Sequence, residues 1–187
     1  MSLLQKTSPC KTVYSSRYDN YQNGEVKPAF DPKAYGGALH DLGIYNLNIV
    51  IALLGEPKEV RYDPNCGFNG VDVSGYLFMR YPGYLVSLLA AKDSQSPSFL
   101  SLQGENGWMK IPGQPNEIES LDYCIGGKQG HFDASPRKNR MVQEFQDFAR
   151  MAAEYDRNRM EHELQTTLAV LKTMEKARKS SGIIYGE

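Results

Sequence analysis

The sequence predicts an α+β fold, an open and largely antiparallel β-sheet with helices packed on one face. Three observations predict it. Strand-like segments run together in the middle of the chain, helix-like segments flank them, and no strand–helix unit recurs in alternation. The 187 residues suit a single domain, 1–187, with one core.

Taken in order, residues 12–21, TVYSSRYDNY, are rich in β-branched and aromatic types and are expected to form a strand. A loop with Gly24, Pro28 and Pro32 follows. Residues 37–54 are expected to be a helix, with Leu39, Leu42, Leu47, Val50, Ile51 and Leu54 at helical spacing and Gly55 and Pro57 ending it. Val71, Val73, Leu77 and Met79 then share one parity, with Asp72, Ser74 and Arg80 on the other, as in a half-buried strand. Pro82-Gly83 joins this run to YLVSLLAAK as a hairpin. SFLSLQ, GENG and WMKI predict a second hairpin, and NEIESLDYCI a further strand. The glycines of 126–138 predict loop. Two helices close the chain, one with Met141, Phe145, Phe148, Ala152 and Tyr155 on one face, the other with Leu164, Leu168, Leu171 and Met174.

Charge and composition narrow the function. Lys plus Arg number 21 against 22 Asp plus Glu, a net charge of −1, which argues against a nucleic-acid partner. No apolar run is expected to span a bilayer, and residues 1–15 lack the apolar core of a secretion signal. Cys10, Cys66 and Cys124 are odd in number and widely spaced, so neither a disulfide framework nor a zinc site is expected, and the cytoplasm is the expected compartment.

The chemistry concentrates in YGGALHDLGIYNLNIVIALLG, residues 35–55. Asp41 and Tyr45 are four apart and share a helix face, and Asn48 extends that stripe. A phenol beside a carboxylate can pass a proton while the carboxylate orients a substrate hydroxyl. Gly36 and Gly37 leave room for another molecule near the helix start, which makes Gly37 and Asn48 candidate substrate contacts. A structural reading fits the same spacing, since an aspartate near a helix N-terminus complements the dipole. His131 and Asp133 offer at most half a metal site, and no metal ligand set is expected. Trp108 is expected to anchor packing. There is no G-x-G-x-x-G, Walker A or G-x-S-x-G pattern, so this chain is expected to bind no dinucleotide itself.

DPKAYGGALHDLGIYNLNIVIALLGEPKEV, residues 31–60, resembles the second domain of the Gfo/Idh/MocA oxidoreductases, which carry Gly-Gly-Gly-x-Leu-x-Asp-x-Gly-x-His/Tyr and then Leu-Gly-x-Pro. Here Tyr35-Gly36-Gly37, Leu39, Asp41, Gly43, Tyr45 and Leu54-Gly55-Glu56-Pro57 stand in those places. GENGWMKI and the two closing helices are similar too, so the resemblance covers about residues 12–184. It implies the C-terminal substrate and oligomerisation domain of a two-domain enzyme whose N-terminal Rossmann half binds NAD or NADP. It further implies that Asp41 orients the reacting hydroxyl, and that Tyr45 is the general acid/base where many members have histidine. The tyrosine form resembles the glucose–fructose oxidoreductase and dihydrodiol dehydrogenase branches. Glu25-Val26-Lys27-Pro28 only faintly echoes the Glu-Lys-Pro motif of the Rossmann half.

The expected full-length enzyme acts on a secondary alcohol or ketone of a sugar, polyol or cyclic diol. This chain alone is expected to be inactive, and to form a homo-oligomer through the open sheet face. The rival expectation is a stand-alone, non-catalytic ligand-binding or oligomerisation module of the same fold. A third, a cofactor-free hydrolase or lyase, lacks any nucleophile or metal signature.

Overall fold

Alternation sets the sheet. In β3 (Asp72–Tyr81) Val73, Gly75, Leu77, Met79 and Tyr81 are buried, while Tyr76, Phe78 and Arg80 are exposed, because successive side chains leave opposite faces of a strand. The computed structural model describes residues 3–7, 12–114, 116–134 and 141–183. Around β3 stand β1 (Leu3–Thr7), β2 (Glu59–Cys66), β4 (Tyr84–Ala91), β5 (Phe99–Gly104), β6 (Gly107–Pro112), β7 (Ser120–Ile125) and β8 (Lys128–Asp133). They form one eight-stranded sheet in the order β2-β3-β4-β1-β5-β6-β7-β8. Every pairing is antiparallel except β1 with β4. The fold class is the expected one.

The helices are α1 (Thr12–Gln22), α2 (Ile44–Leu54), α3 (Met141–Glu154) and α4 (Arg157–Ser181), with short 3-10 turns at Pro28–Phe30 and Pro32–Ala34 and a π-helical turn at Leu39–Gly43. The main core joins α2 (Leu47, Val50, Ile51) and α4 (Val170, Met174, Ala177) to the inward positions of β2, β3 and β4, among them Tyr62, Leu77, Met79, Val86 and Leu88. Helices thus cover one face of the sheet. On the other face Tyr76 and Phe78 stack with ring centroids 5.9 Å apart, and by register Leu85 and Leu89 of β4 lie beside them.

Several expectations need correction. Residues 12–21 are helix α1, not a strand. Tyr18 and Tyr21 fall one helical turn apart, and Tyr21 stacks on Phe30 (4.8 Å) and Phe68 (4.4 Å), so ring packing outweighs the local β preference. Residues 126–138 are not all loop. Gly126 (φ 57°) and Gly127 (φ 78°) take the two positive φ angles of a tight type I′ turn, which folds β8 back on β7. β1 and β2 were not anticipated. Asp72 is buried, because the β2–β3 ladder breaks register between Asn65 and Cys66, the residue paired with Asp72.

Residues 32–54 also run longer than expected for an apolar stretch. An 18-residue stretch within residues 32–54 has a mean hydropathy of 1.4, enough for a membrane span, yet half of that stretch is buried inside this fold, as expected of a core helix. The closing helices differ in their packing. Met151 is the buried residue of α3, whereas Phe145 and Phe148 are exposed. On α4 the core face is Ala169, Val170, Thr173, Met174 and Ala177, and Leu164, Leu168 and Leu171 are exposed. The short basic run Arg137-Lys138-Asn139-Arg140 and Cys10 lie outside the described residues.

Candidate functional site

The site is built where the helix start crosses the end of β4. Ala38, Leu42 and Ala90 form a small buried cluster of their own. A Cβ on Gly43 would stand 3.9 Å from the Ala90 Cβ. Small residues on both elements therefore bring the π-helical turn close to the strand. Asp41 lies in that turn, and Lys92 follows the last residue of β4. A single π turn inside a helix is rare and recurs at functional sites.

Asp41 and Lys92 form an ion pair, Oδ2 to Nζ 2.9 Å, with the lysine side chain 0% exposed and the aspartate 39% exposed. The ammonium also donates to the Ala29 carbonyl oxygen and sits 4.7 Å from the centre of the Phe30 ring, within cation–π range. Burial pushes the Lys92 pKa below its ordinary value, and the hydrogen bond and charge of Asp41 pull it back up. The arrangement is a buried cation holding a half-exposed carboxylate at the surface.

A second carboxylate anchors the same turn from below. Asp72, fully buried, accepts from the Leu39 backbone N–H (2.7 Å) and from the Tyr62 hydroxyl (2.6 Å). His40 precedes Asp41 in the same turn. Burial lowers the His40 pKa, Asp72 raises it in part, and Arg178 lowers it further. Its ring meets that of Tyr35 edge-on at 6.0 Å, and Tyr35 itself takes a left-handed conformation (φ 55°).

The other sequence-derived site residues fall around this centre. Tyr45 sits in the first turn of α2 and is 47% exposed. The Asn48 amide nitrogen donates back to the Ile44 carbonyl (2.9 Å), so its donor is used within the helix. Gly37 has φ 114°, and its N–H donates to the Ala29 carbonyl (3.0 Å). The space beside Gly36 is filled by the chain itself. A Cβ there would run into the Pro28 carbonyl and stand 2.8 Å from the Asp31 nitrogen. Its lack of a side chain therefore serves packing of the loop, where the sequence suggested room for another molecule.

Three residues of the site escaped the sequence reading, among them Asp72, which the strand alternation placed on the polar face and which is buried. Lys92 closes the apolar run YLVSLLAAK, and a charge ending such a run was its only signal. Asn46 stands in the apolar half of α2. It is fully buried, donates to the Leu89 carbonyl at 3.3 Å, and its Oδ1 has no hydrogen-bond partner among the described residues. Elsewhere, His131 Nδ1 lies 2.6 Å from Asp122 Oδ1 across the β7–β8 pair. No group of three metal-ligating side chains occurs among the described residues. Trp108 is 40% exposed on β6, not enclosed as a packing anchor. Lys27 pairs with Glu25 on the surface at 3.0 Å.

A dinucleotide pyrophosphate does not fit this helix start. Such a site needs backbone N–H groups pointing at the ligand. Here the Gly36, Gly37 and Leu39 N–H groups already donate to Asp31 O, Ala29 O and the Asp72 carboxylate, and that buried carboxylate would repel phosphate.

Comparison with known proteins gives a consistent result. The sequence profile described as GFO/IDH/MocA C-terminal domain matches residues 11–110. The chain is 33% identical over 174 residues to scyllo-inositol 2-dehydrogenase (NADP(+)) IolU of Bacillus subtilis, covering 92% of this chain and 52% of that protein. It is 31% identical over the same extent to the uncharacterized oxidoreductase YgjR of Escherichia coli. The chain therefore spans about half the length of the curated relatives it matches. Among solved structures, UDP-N-acetylglucosamine 3-dehydrogenase GnnA from Acidithiobacillus ferrooxidans superposes with a TM-score of 0.67 at 15% identity, over 96% of this chain and 52% of that one. Aldose-aldose oxidoreductase from Caulobacter crescentus does so with a TM-score of 0.66 at 17% identity, over 95% and 53%. These two likenesses establish the fold.

Proposed function

Because this chain belongs to the Gfo/Idh/MocA oxidoreductase family as one of its C-terminal domains, we propose that it is the substrate half of an NAD(P)-dependent dehydrogenase acting on a polyol or sugar. The full enzyme interconverts a secondary alcohol and its ketone. Hydride transfer is chemistry that NAD(P) supplies when held by a nucleotide-binding half. The residues of this chain handle the hydroxyl and its proton. Asp41 accepts a hydrogen bond from the reacting hydroxyl and orients it. Tyr45, about one turn further along, takes the hydroxyl proton on oxidation and returns it on reduction. Gly37 and Asn48 flank the substrate.

The observation that carries this reading is the half-exposed Asp41 carboxylate fixed on a buried ammonium, with the exposed Tyr45 on the same helix. The name of the 33% identical relative, a scyllo-inositol dehydrogenase, supports a polyol. A homo-oligomer formed through the uncovered sheet face belongs to the same proposal, supported by Tyr76, Phe78 and Trp108 exposed there.

The test has two parts. An antibody against this domain measures the native size in source cells. A chain about twice this length supports the reading, and one of 21.0 kDa points to a separate module. In the longer chain, Asp41→Asn and Tyr45→Phe each lower kcat for scyllo-inositol oxidation by about 100-fold or more, in line with loss of a positioned proton-transfer group. Wild-type kcat in both variants defeats the assignment.

A further inference from the structure

We propose that Lys92 is the positioning residue of the site, its buried ammonium holding Asp41 in the one rotamer that presents a carboxylate oxygen to substrate. This rests on the reading of Asp41 as the hydroxyl-orienting group, and deepens it.

An ammonium taken wholly out of water loses its hydration, and an ion pair regains this only where geometry and further hydrogen bonds are good. A hydrophobic residue of the same length would serve packing at least as well. Here the lysine is 0% exposed, while its partner remains 39% exposed. The pair is therefore lopsided: the cation is structural and inaccessible, the anion reaches the surface. Lys92 is itself held from three directions, by the Ala29 carbonyl, the Phe30 ring and Asp41, and its own backbone N–H donates to the Val73 carbonyl (2.8 Å). It cannot swing out to meet substrate. Its effect on chemistry can pass only through Asp41.

Lys92 binds Asp41 through Oδ2. With that atom tied, rotation about the side-chain bonds is stopped and Oδ1 takes a fixed direction. A carboxylate that must orient a hydroxyl gains most from this, because misplacement by about 1 Å costs on the order of 100-fold in rate. The Ala29 carbonyl links the device to the glycine loop, since it also accepts from the Gly37 N–H (3.0 Å). One carbonyl thus ties the lysine and the loop before the helix together.

Lys92→Met is the informative variant. Its thioether fills the slot over Phe30. The Ala29 carbonyl keeps its bond from Gly37, and Asp41 is exposed enough to be hydrated, so no buried group loses its last partner and the chain stays folded. In the 187-residue chain, three-bond couplings from the Asp41 backbone to its Cγ report the rotamer. Wild type is expected to show one rotamer and Lys92→Met an average of several, with a melting temperature within a few degrees. Unchanged couplings in the folded variant overturn the positioning role. In the two-domain enzyme, with scyllo-inositol as probe, Lys92→Met lowers kcat about tenfold or more and leaves KM within about threefold. A purely structural lysine would lower the yield of folded enzyme and leave kcat per folded molecule unchanged, which also overturns the proposal. Failure of the underlying reading looks different. Asp41→Asn would then be as active as wild type, whereas the couplings still report whether Lys92 fixes Asp41.

Discussion

Asp72→Ala tests the foundation of the site. The carboxylate is fully buried and accepts two bonds, from the Leu39 N–H at 2.7 Å and the Tyr62 hydroxyl at 2.6 Å. Removing it deprives two interior donors of that acceptor. Each such loss costs about 1–3 kcal/mol, so the variant loses about 2–6 kcal/mol before any relaxation. For a domain of this size each kcal/mol moves the melting temperature by about 2–4 °C, so the fall is on the order of 10 °C. Tyr62→Phe removes one of the two bonds and costs about 1 kcal/mol. Because the pair shares one contact, the double variant loses less than the sum of the singles. Calorimetry measures all three, and hydrogen exchange at the Leu39 amide shows whether the turn bearing Asp41 loosens. A fall below about 3 °C for Asp72→Ala, or strict additivity with Tyr62→Phe, refutes the account of Asp72 as the shared anchor.

Gly75→Ala should destabilise by about 1–3 kcal/mol through overpacking, since a Cβ there would overlap the Tyr62 ring, and a melting temperature equal to wild type removes that constraint. The pKa of His40 is lowered by burial, so the unfolded state binds the proton more tightly. The stability this contributes is complete above pH ~6.5, the unfolded value, and is lost as pH falls through the lowered folded value. Melting curves from pH 7.5 to 5 should fall more steeply for wild type than for His40→Asn, and parallel curves contradict it. Phe78→Glu places a charge on the uncovered sheet face and should shift the species seen by light scattering toward monomer, whereas an unchanged mass moves the interface elsewhere.

The sequence made the central strands and α2 legible because their cores are periodic. Val73, Leu77 and Met79 alternate with exposed positions, and Leu47, Val50 and Ile51 recur at helical spacing. Where tertiary packing set the outcome, the local pattern misled. Tyr18 and Tyr21 look like strand residues, and only the Phe30 and Phe68 rings show why they sit on a helix. Gly126-Gly127 looks like loop, and only the pairing of β7 with β8 makes it a two-residue turn. Phe145, Phe148, Leu164 and Leu168 have the spacing of buried faces and are exposed among the described residues. Of the site, Asp41 and Tyr45 were visible as neighbours on one helix. Lys92 was not, because it lies 51 positions on and meets Asp41 only through the approach of helix to strand.

That approach explains why the motif contains so many small residues. A helix packed on a sheet through leucines alone stands too far off for the short aspartate side chain to reach beneath it. Ala38 and Gly43 on the helix side and Ala90 on the strand reduce the separation where Asp41 must meet Lys92. The large residues Leu47, Val50 and Ile51 begin only beyond that point and restore ordinary packing. The poor helix formers at the start of the segment and the apolar residues at its end thus serve one geometry. The first half is thinned to seat a carboxylate on a buried cation, and the second is filled to hold the helix in place.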